Sequence, residues 1–179
     1  MTKGQGNEQF KKSPRGGFRG IYSSPCGGGR EGAFIRITKQ FTFDMAHALF
    51  NYDGLCRNIH GHTYTLQVTL KGQINTDEHS PKQGMVLDFG ELKKIIRTPV
   101  VDAFDHALVL NEKHEIPQQI ADFQDAGKLI VLPFQPTCEN LVAHFAGIIQ
   151  KSLPSTAALH SLRLYETPTS WAEWFAEDN

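Results

Sequence analysis

The sequence predicts an α+β domain in which a four-stranded antiparallel sheet carries two helices packed on one face. Two stretches alternate apolar and polar residues, which is typical of a strand with one buried face. Two other stretches repeat apolar residues every three to four positions, as amphipathic helices do. Their order, two strands and a helix followed by a strand, a helix and a strand, favours a sheet covered by helices. A chain of 179 residues is long enough to bury its own core.

The first two strands are predicted on either side of a loop. Over residues 35–47 the apolar residues fall on odd positions, and His47 shares their phase. The second strand contains Tyr64, Leu66, Val68 and Leu70 in alternation with polar residues, and His60 and His62 share the phase of this apolar set. Residues 48–59 include Asn, Asp and Gly and read as the connecting loop.

Both helices have recognisable ends. Asp88 can cap the first helix with Glu91, three positions on, as its capping-box partner. Pro99 should kink or end that helix, because proline has no backbone N–H. The second helix begins near Thr137 and stops before Pro154.

The remaining strands are shorter. Residues 129–134 form an apolar run that reads as a buried strand after a loop over about 111–127. The last main strand contains Leu162, Leu164 and Glu166 in one phase, and residues 171–175 can add a short edge strand.

The N-terminal residues 1–33 differ from the rest of the chain. They are rich in glycine and carry six basic and two acidic residues, a net charge of 6 − 2 = +4. We predict a disordered basic tail over 1–33 and a single domain over 34–179. A basic tail could contact RNA, but it lacks the interleaved aromatic residues of a stacking surface, so no nucleic-acid partner is predicted.

Composition also bears on location. The longest apolar runs are far shorter than the roughly 20 residues that a membrane helix needs, so no membrane association is expected. The N-terminus lacks the order of a secretory signal. Three cysteines at irregular spacing argue against a disulfide framework and for reduced thiols. These features predict a cytoplasmic protein.

Three histidines form a candidate metal site. His60 and His62 are two residues apart on one strand, so they share a face and lie roughly 6.5–7 Å apart at Cα. If the first two strands pair antiparallel, His47 reaches the same end of that face. Three nitrogen ligands leave a fourth position open, which is the arrangement of a catalytic zinc site. The alternative is three histidines that only fill the core.

Cys56 lies in the predicted loop, four residues before His60. A nearby cation would favour its thiolate, which makes Cys56 a candidate base or nucleophile. It could instead be a fourth zinc ligand. Cys26 and Cys138 have no such neighbours and are interpreted as structural or incidental.

Three further residues are candidates for proton transfer or substrate binding. Asp105 and His106 are adjacent, so the aspartate could orient the imidazole or shuttle its proton. Glu166 falls on an apolar face, where an unpaired charge is costly. Either a ligand with two adjacent N–H donors or an internal ion pair, for example with Arg163 or Lys128, should bind it.

Thr137 and Glu139 fall in the first turn of the second helix. Capping and the helix dipole explain them at least as well as ligand contact does.

Six motifs occur in order along the chain: residues 41–47 (FTFDMAH), 56–62 (CRNIHGH), 84–92 (GMVLDFGEL), 105–106 (DH), 136–140 (PTCEN) and 165–167 (YET). Together they resemble the family of 6-pyruvoyltetrahydropterin and 6-carboxytetrahydropterin synthases, over about residues 34–175. The three residues between Cys56 and His60 are similar to the shorter spacer of the carboxy enzymes of the queuosine pathway, with the pyruvoyl enzymes as the alternative.

This resemblance implies a T-fold whose sheets join into a barrel in a homo-oligomer, commonly a hexamer built from two trimers, with active sites between subunits. It implies a lyase that converts 7,8-dihydroneopterin triphosphate to 6-carboxytetrahydropterin, acetaldehyde and triphosphate. In the implied roles, the three histidines bind Zn²⁺, Cys56 removes a carbon-bound proton, Asp105 and His106 form an acid/base relay, and Glu166 holds the pterin. The N-terminal tail and the longer segment 111–134 depart from the compact bacterial pattern.

Overall fold

A computed structural model of the chain describes residues 32–116, 118 and 129–179. Within these ranges six strands form one mixed sheet in the order β4-β3-β1-β2-β5-β6. The strands are β1 (Phe34–His47), β2 (His60–Gln73), β3 (Ala107–Asn111), β4 (Leu129–Leu132), β5 (Ala157–Thr167) and β6 (Ser170–Phe175). The predicted tail and most of the predicted 111–127 loop lie outside the described residues, so the domain boundary at residue 34 stays a prediction.

The α+β class is confirmed, but the predicted four-stranded antiparallel sheet was too small. Strands β1, β2, β5 and β6 pair antiparallel, whereas β3 runs parallel to both β1 and β4. Strand β3 has the sequence ALVLN, a short apolar run without alternation, so periodicity gave no signal for it. The chain crosses over through a helix between β2 and β3, and it re-enters the sheet in the direction of β1.

The helices begin where their capping residues predict. Helix α1 (Phe89–Ile96) follows Asp88, whose Oδ1 accepts hydrogen bonds from the N–H groups of Gly90 and Glu91. The carboxylate of Glu91 contacts Lys82 instead of completing a capping box. As Pro99 predicts, α1 ends, and a π-helical turn over Arg97–Asp102 accommodates the proline.

Helix α2 (Cys138–Gln150) begins after Thr137 and ends before Pro154, also as predicted. Both helices pack on the same face of the sheet, which is the predicted arrangement. The shared core contains Phe43, Tyr64, Leu66, Leu92, Ile96, Leu141, Phe145 and Leu164. Each fully buried leucine of this set contributes roughly 1.5–3 kcal/mol to stability.

The opposite face of the central strands is polar. Thr38 bonds Thr69 across β1 and β2, and Gln67 donates to Gln40 two residues along. Because the side-chain period is two, this division fixes the register of the hairpin. None of the helices among the described residues is long and apolar enough to cross a membrane.

Candidate metal centre

The β1–β2 hairpin brings the three predicted histidines together. In its register His47 pairs with His60, and Met45 pairs with His62, so the three rings lie at one end of the helix-covered face. The two Nε2 atoms of His47 and His60 are 3.1 Å apart. One ring nitrogen from each of the three histidines lies within 4.8 Å of the others. Ligand atoms in a tetrahedral zinc site with bonds of about 2.0–2.1 Å are roughly 3.3 Å apart, so the group fits such an ion.

Backbone carbonyls orient two of these rings. The Nδ1–H of His47 donates to the carbonyl of Pro136 at 2.7 Å, and that of His60 donates to the carbonyl of Asn58 at 2.8 Å. In the neutral rings this leaves a lone pair on each Nε2, and the two lone pairs face each other. The buried Nε2 of His62 has no hydrogen-bond partner. A cation at this point would satisfy all three nitrogens, with the carbonyls as the outer support that metal-binding histidines usually have.

Burial favours the metal-binding form of His47. This side chain is only 2% exposed. Burial, assisted by the charges of His60 and His62, lowers the pKa of His47 below its ordinary value, although the bond to Pro136 and the charge of Glu166 act in the opposite direction. The ring is therefore neutral at neutral pH, and a metal would not have to displace a proton from it.

Glu166 lies beside the three histidines and does not form the predicted ion pair with Arg163. Its Oε1 lies 3.5 Å from His47 Nε2 and 3.9 Å from His62 Nε2. Arg163, one of the predicted partners, instead pairs with Glu173 at 2.7 Å. The other predicted partner, Lys128, lies outside the described residues. The carboxylate is partly exposed and can reach a molecule bound beside the histidines.

Tyr64 is a site residue that the sequence interpretation missed. Its hydroxyl donates to Glu166 Oε1 at 3.3 Å, and its side chain is fully buried. Burial and the carboxylate of Glu166 raise the pKa of Tyr64, so it remains a donor at neutral pH. The signal was present, because Tyr64 continues the phase of His60 and His62 along β2.

Cys56 lies in a 3-10 turn, Leu55–Arg57, within the loop that precedes β2. Its carbonyl accepts a hydrogen bond from the N–H of Leu49 at 2.9 Å, which closes the loop on itself. The thiol is half-buried. Among the described residues, the three histidines form one group of ligand atoms that lie within 4.8 Å of one another, and Cys56 does not belong to it. This counts against the alternative role of Cys56 as a fourth ligand of the histidine group.

Asp105 and His106 do contact each other, although adjacent side chains usually point apart. His106 Nδ1 is 3.0 Å from Asp105 Oδ1. His106 has a φ of 61°, a left-handed conformation that is strained for a residue with a side chain. Asp44 helps to hold it, because its carbonyl accepts from His106 N–H at 2.6 Å and its own N–H donates to Asp105 Oδ1 at 2.9 Å. Asp44 had not been predicted at the site.

Asp105 and His106 are not part of the histidine group within one chain. Asp44 and its partner Thr63 are on the strand positions that face away from the helices. The imidazole of His106 is exposed, and with Asp44 and Thr63 it lines a cavity of about 710 Å³ that extends to His62. Among the described residues, Asp44, Asp105 and His106 form a cluster separate from the three histidines.

The start of α2 borders the metal group. Thr137 accepts the N–H of Asn140 at 3.4 Å, and Glu139 is exposed in the first turn, so both make the capping contributions that the sequence offered as their alternative role. Cys138 is buried, and its thiol donates to the carbonyl of Leu164 at 3.1 Å. Burial raises the pKa of Cys138 to about 11, which agrees with the predicted structural role.

Comparisons with known proteins agree with this geometry. The family model described as 6-pyruvoyl tetrahydropterin synthase matches residues 36–177. The chain is 37% identical over 142 residues to the 6-carboxy-5,6,7,8-tetrahydropterin synthase of Haemophilus influenzae, covering 78% of this chain and 98% of that protein. It is 33% identical over 142 residues to the protein of the same name from Rickettsia bellii, covering 78% of this chain and 99% of that protein.

The fold is also shared with solved structures. The 6-pyruvoyl tetrahydropterin synthase of Caenorhabditis elegans superposes with a TM-score of 0.59 at 22% identity, covering 80% of this chain and 96% of that one. An uncharacterized protein of Wolinella succinogenes superposes with a TM-score of 0.66 at 19% identity, covering 80% of this chain and 99% of that one. The predicted T-fold is thereby confirmed. This chain belongs to the 6-pyruvoyl tetrahydropterin synthase family.

Proposed function

We propose that the protein is a zinc-dependent 6-carboxytetrahydropterin synthase of queuosine biosynthesis. It converts 7,8-dihydroneopterin triphosphate to 6-carboxytetrahydropterin, acetaldehyde and triphosphate. The observation that carries the proposal is the convergence of His47, His60 and His62 with their Nε2 atoms turned inward. The names of the relatives from Haemophilus influenzae and Rickettsia bellii support the carboxy product.

Zinc is the proposed metal because the ligand group consists only of imidazole nitrogens. Mg²⁺ and Ca²⁺ prefer oxygen ligands, whereas three histidines with an open fourth position are typical of catalytic zinc. When bound, the ion would polarise the oxygens of the substrate side chain.

Substrate binding and proton transfer are assigned to the protein's own residues. Glu166 binds two adjacent N–H groups of the pterin edge, and the hydroxyl of Tyr64 holds the carboxylate in place for them. Cys56 takes the carbon-bound proton, and Asp105 with His106 relays it. Thr137 and Glu139 contact the substrate at the start of α2, where backbone N–H groups also point outward.

Two features support a homo-oligomer, which we propose is a hexamer of two trimers with active sites between subunits. Strand β1 pairs with β3 only over residues 45–47, so most of its length leaves a free edge within the described part of the chain, and β6 forms the other edge. Joining these edges between neighbouring chains would close a barrel. Asp105 and His106 would then act on the histidine group of a neighbouring subunit, which explains why the two clusters are separate within one chain.

A cytoplasmic location and the absence of a nucleic-acid partner complete the proposal. The three cysteines at irregular spacing support a reducing compartment. Deletion of residues 1–33 should leave turnover of the pterin intact. A core that retains tRNA affinity but has no pterin turnover would contradict the proposal and indicate an RNA-binding module.

The alternative function is that of a 6-pyruvoyltetrahydropterin synthase, the enzyme named in the description of the matched family. The two reactions share a substrate and differ in the product. Purified protein loaded with zinc is therefore incubated with 7,8-dihydroneopterin triphosphate, and acetaldehyde is assayed. Acetaldehyde supports the carboxy enzyme, a pyruvoyl side chain supports the alternative, and the absence of both products supports a non-catalytic binding protein.

Cys56→Ala tests the role of the thiol. It should retain zinc by elemental analysis and lose turnover, whereas Cys26→Ser should retain both. Loss of zinc in Cys56→Ala would identify the thiol as a metal ligand and contradict the proposed base.

A further inference from the structure

Gln135 connects two parts of the site that are distant in sequence. Its side-chain amide forms a pair of hydrogen bonds with the backbone of Phe50. Its Oε1 accepts the N–H of Phe50 at 2.9 Å, and its Nε2 donates to the carbonyl of Phe50 at 2.5 Å. An amide that satisfies both backbone groups of one residue acts as a short sheet-like bridge, which we call the Gln135 clamp.

The residue on one side of the clamp is itself firmly held. The backbone carbonyl of Gln135 accepts from the N–H of Thr137 at 2.8 Å and from the side chain of Asn140 at 3.0 Å. Gln135 is therefore fixed to the first turn of α2. The next residue, Pro136, supplies the carbonyl that orients His47. The segment that supports the metal ligand also carries the clamp.

The other side of the clamp is the loop of the catalytic thiol. Phe50 follows Leu49, whose N–H donates to the carbonyl of Cys56. The ring of Phe50 packs edge-on against His114, with 5.4 Å between ring centroids. Only one peptide unit separates the clamp from the hydrogen bond that holds Cys56. A shift of Phe50 would therefore move the thiol relative to the histidines.

We propose that Gln135 is a positioning residue that holds the Cys56 loop at a fixed distance from the metal-binding histidines. This inference rests on the proposed role of Cys56 as the base. Side chains that hold reacting groups in place can change the rate by about a hundredfold when they are lost, even without touching the substrate. Shorter or purely acidic side chains cannot reproduce the clamp, because it needs one donor and one acceptor at the reach of glutamine.

The test compares Gln135→Met with wild type and with Gln67→Met. Gln67 is the matched control, because its substitution also removes a side-chain hydrogen bond, to Gln40, but on the face of the sheet opposite the three histidines. We expect Gln135→Met to lower kcat by about tenfold to a hundredfold with little change in KM or in zinc content. Gln67→Met should behave as wild type. Gln135→Glu keeps the acceptor and loses the donor, so its kcat should lie between those of Gln135→Met and wild type.

A second measurement does not depend on turnover. In a Cys26→Ser background, the rate of alkylation of Cys56 by iodoacetamide reports the freedom of its loop, because Cys138 is buried. The Gln135→Met variant should react about threefold faster than wild type. If wild type shows no pterin turnover but this difference is found, the proposed function fails while the clamp survives. Unchanged kcat and unchanged alkylation, or loss of zinc together with turnover, would overturn the inference.

Discussion

Replacement of His62 by leucine should have opposite effects on the metal-free and the zinc-bound protein. In the metal-free protein the buried Nε2 of His62 has no hydrogen-bond partner. An unsatisfied buried polar atom costs about 1–3 kcal/mol, and leucine removes it while it keeps much of the side-chain volume. His62 is 21% exposed, so we take the low end and expect a gain of about 1 kcal/mol. For a domain of this size, that corresponds to a rise in Tm of about 2–4 °C.

Zinc should reverse the order of the two proteins. At a free zinc concentration about a thousandfold above Kd, binding stabilises wild type by about 4 kcal/mol, or about 8–16 °C in Tm. His62→Leu loses one of three ligands and should lose most of this shift. Thermal melts with chelator and with buffered zinc measure both effects. His79→Leu, on an exposed loop, is the matched control and should retain the wild-type shift.

Two results would refute this reasoning. A wild-type Tm that does not respond to zinc would show that the three imidazoles do not form a metal site. A His62→Leu variant that keeps the full zinc shift would show that the metal binds elsewhere.

Three further predictions concern stability. Tyr64→Phe removes the hydrogen bond to Glu166 and should lower the free energy of unfolding by about 1 kcal/mol in urea titrations, because the 3.3 Å bond is long and its acceptor is partly exposed. Asp88→Ala removes the two hydrogen bonds that cap α1 and should cost about 1 kcal/mol in the same assay. In chelator, the free energy of unfolding should fall as the pH drops below 6.5, the ordinary pKa of histidine. The reason is that burial lowers the pKa values of His47 and His144, so the unfolded state takes up protons first.

Each of these outcomes has a control. Tyr52→Phe, at an exposed tyrosine, should leave stability unchanged, and an equal loss there would remove the significance of the Tyr64 result. Asp77→Ala is the control for Asp88→Ala, because Asp77 accepts a hydrogen bond from the N–H of His79 in a turn and caps no helix. We expect it to lower the free energy of unfolding by less than Asp88→Ala does. A metal-free protein that becomes more stable on acidification would contradict the assigned direction for His47 and His144.

Much of the candidate site could be predicted from the sequence because its three histidines lie on one hairpin. Once residues 35–47 and the second strand are identified as antiparallel neighbours, the register places His47 beside His60, and the period of two places His62 on the same face. The starts of the two helices, at Asp88 and Thr137, could also be predicted, since an N-cap depends only on residues within one turn. Glu166 was predicted on the buried face for the same reason, from its phase with Leu164.

What the sequence could not reveal depends on contacts between distant residues. The carbonyl of Pro136 bonds His47 across 89 positions, and the Gln135 clamp spans 85 positions to Phe50. No periodicity marks a backbone carbonyl or a single glutamine, so only the packing of α2 against the hairpin reveals them. The pairing of His106 with Asp105 likewise depends on a left-handed φ, which is stabilised by the neighbouring strand at Asp44.

The sequence by itself therefore determined the fold class, the caps of both helices and the identity of the three histidines, because each follows from spacing along the chain. Only the tertiary structure decided the parallel pairing of β3, the support of the histidine rings and the separation of Asp105 and His106 from the three histidines. Those features come from segments that meet only when the sheet and helices close around one core, and local patterns carry no information about which distant segments meet.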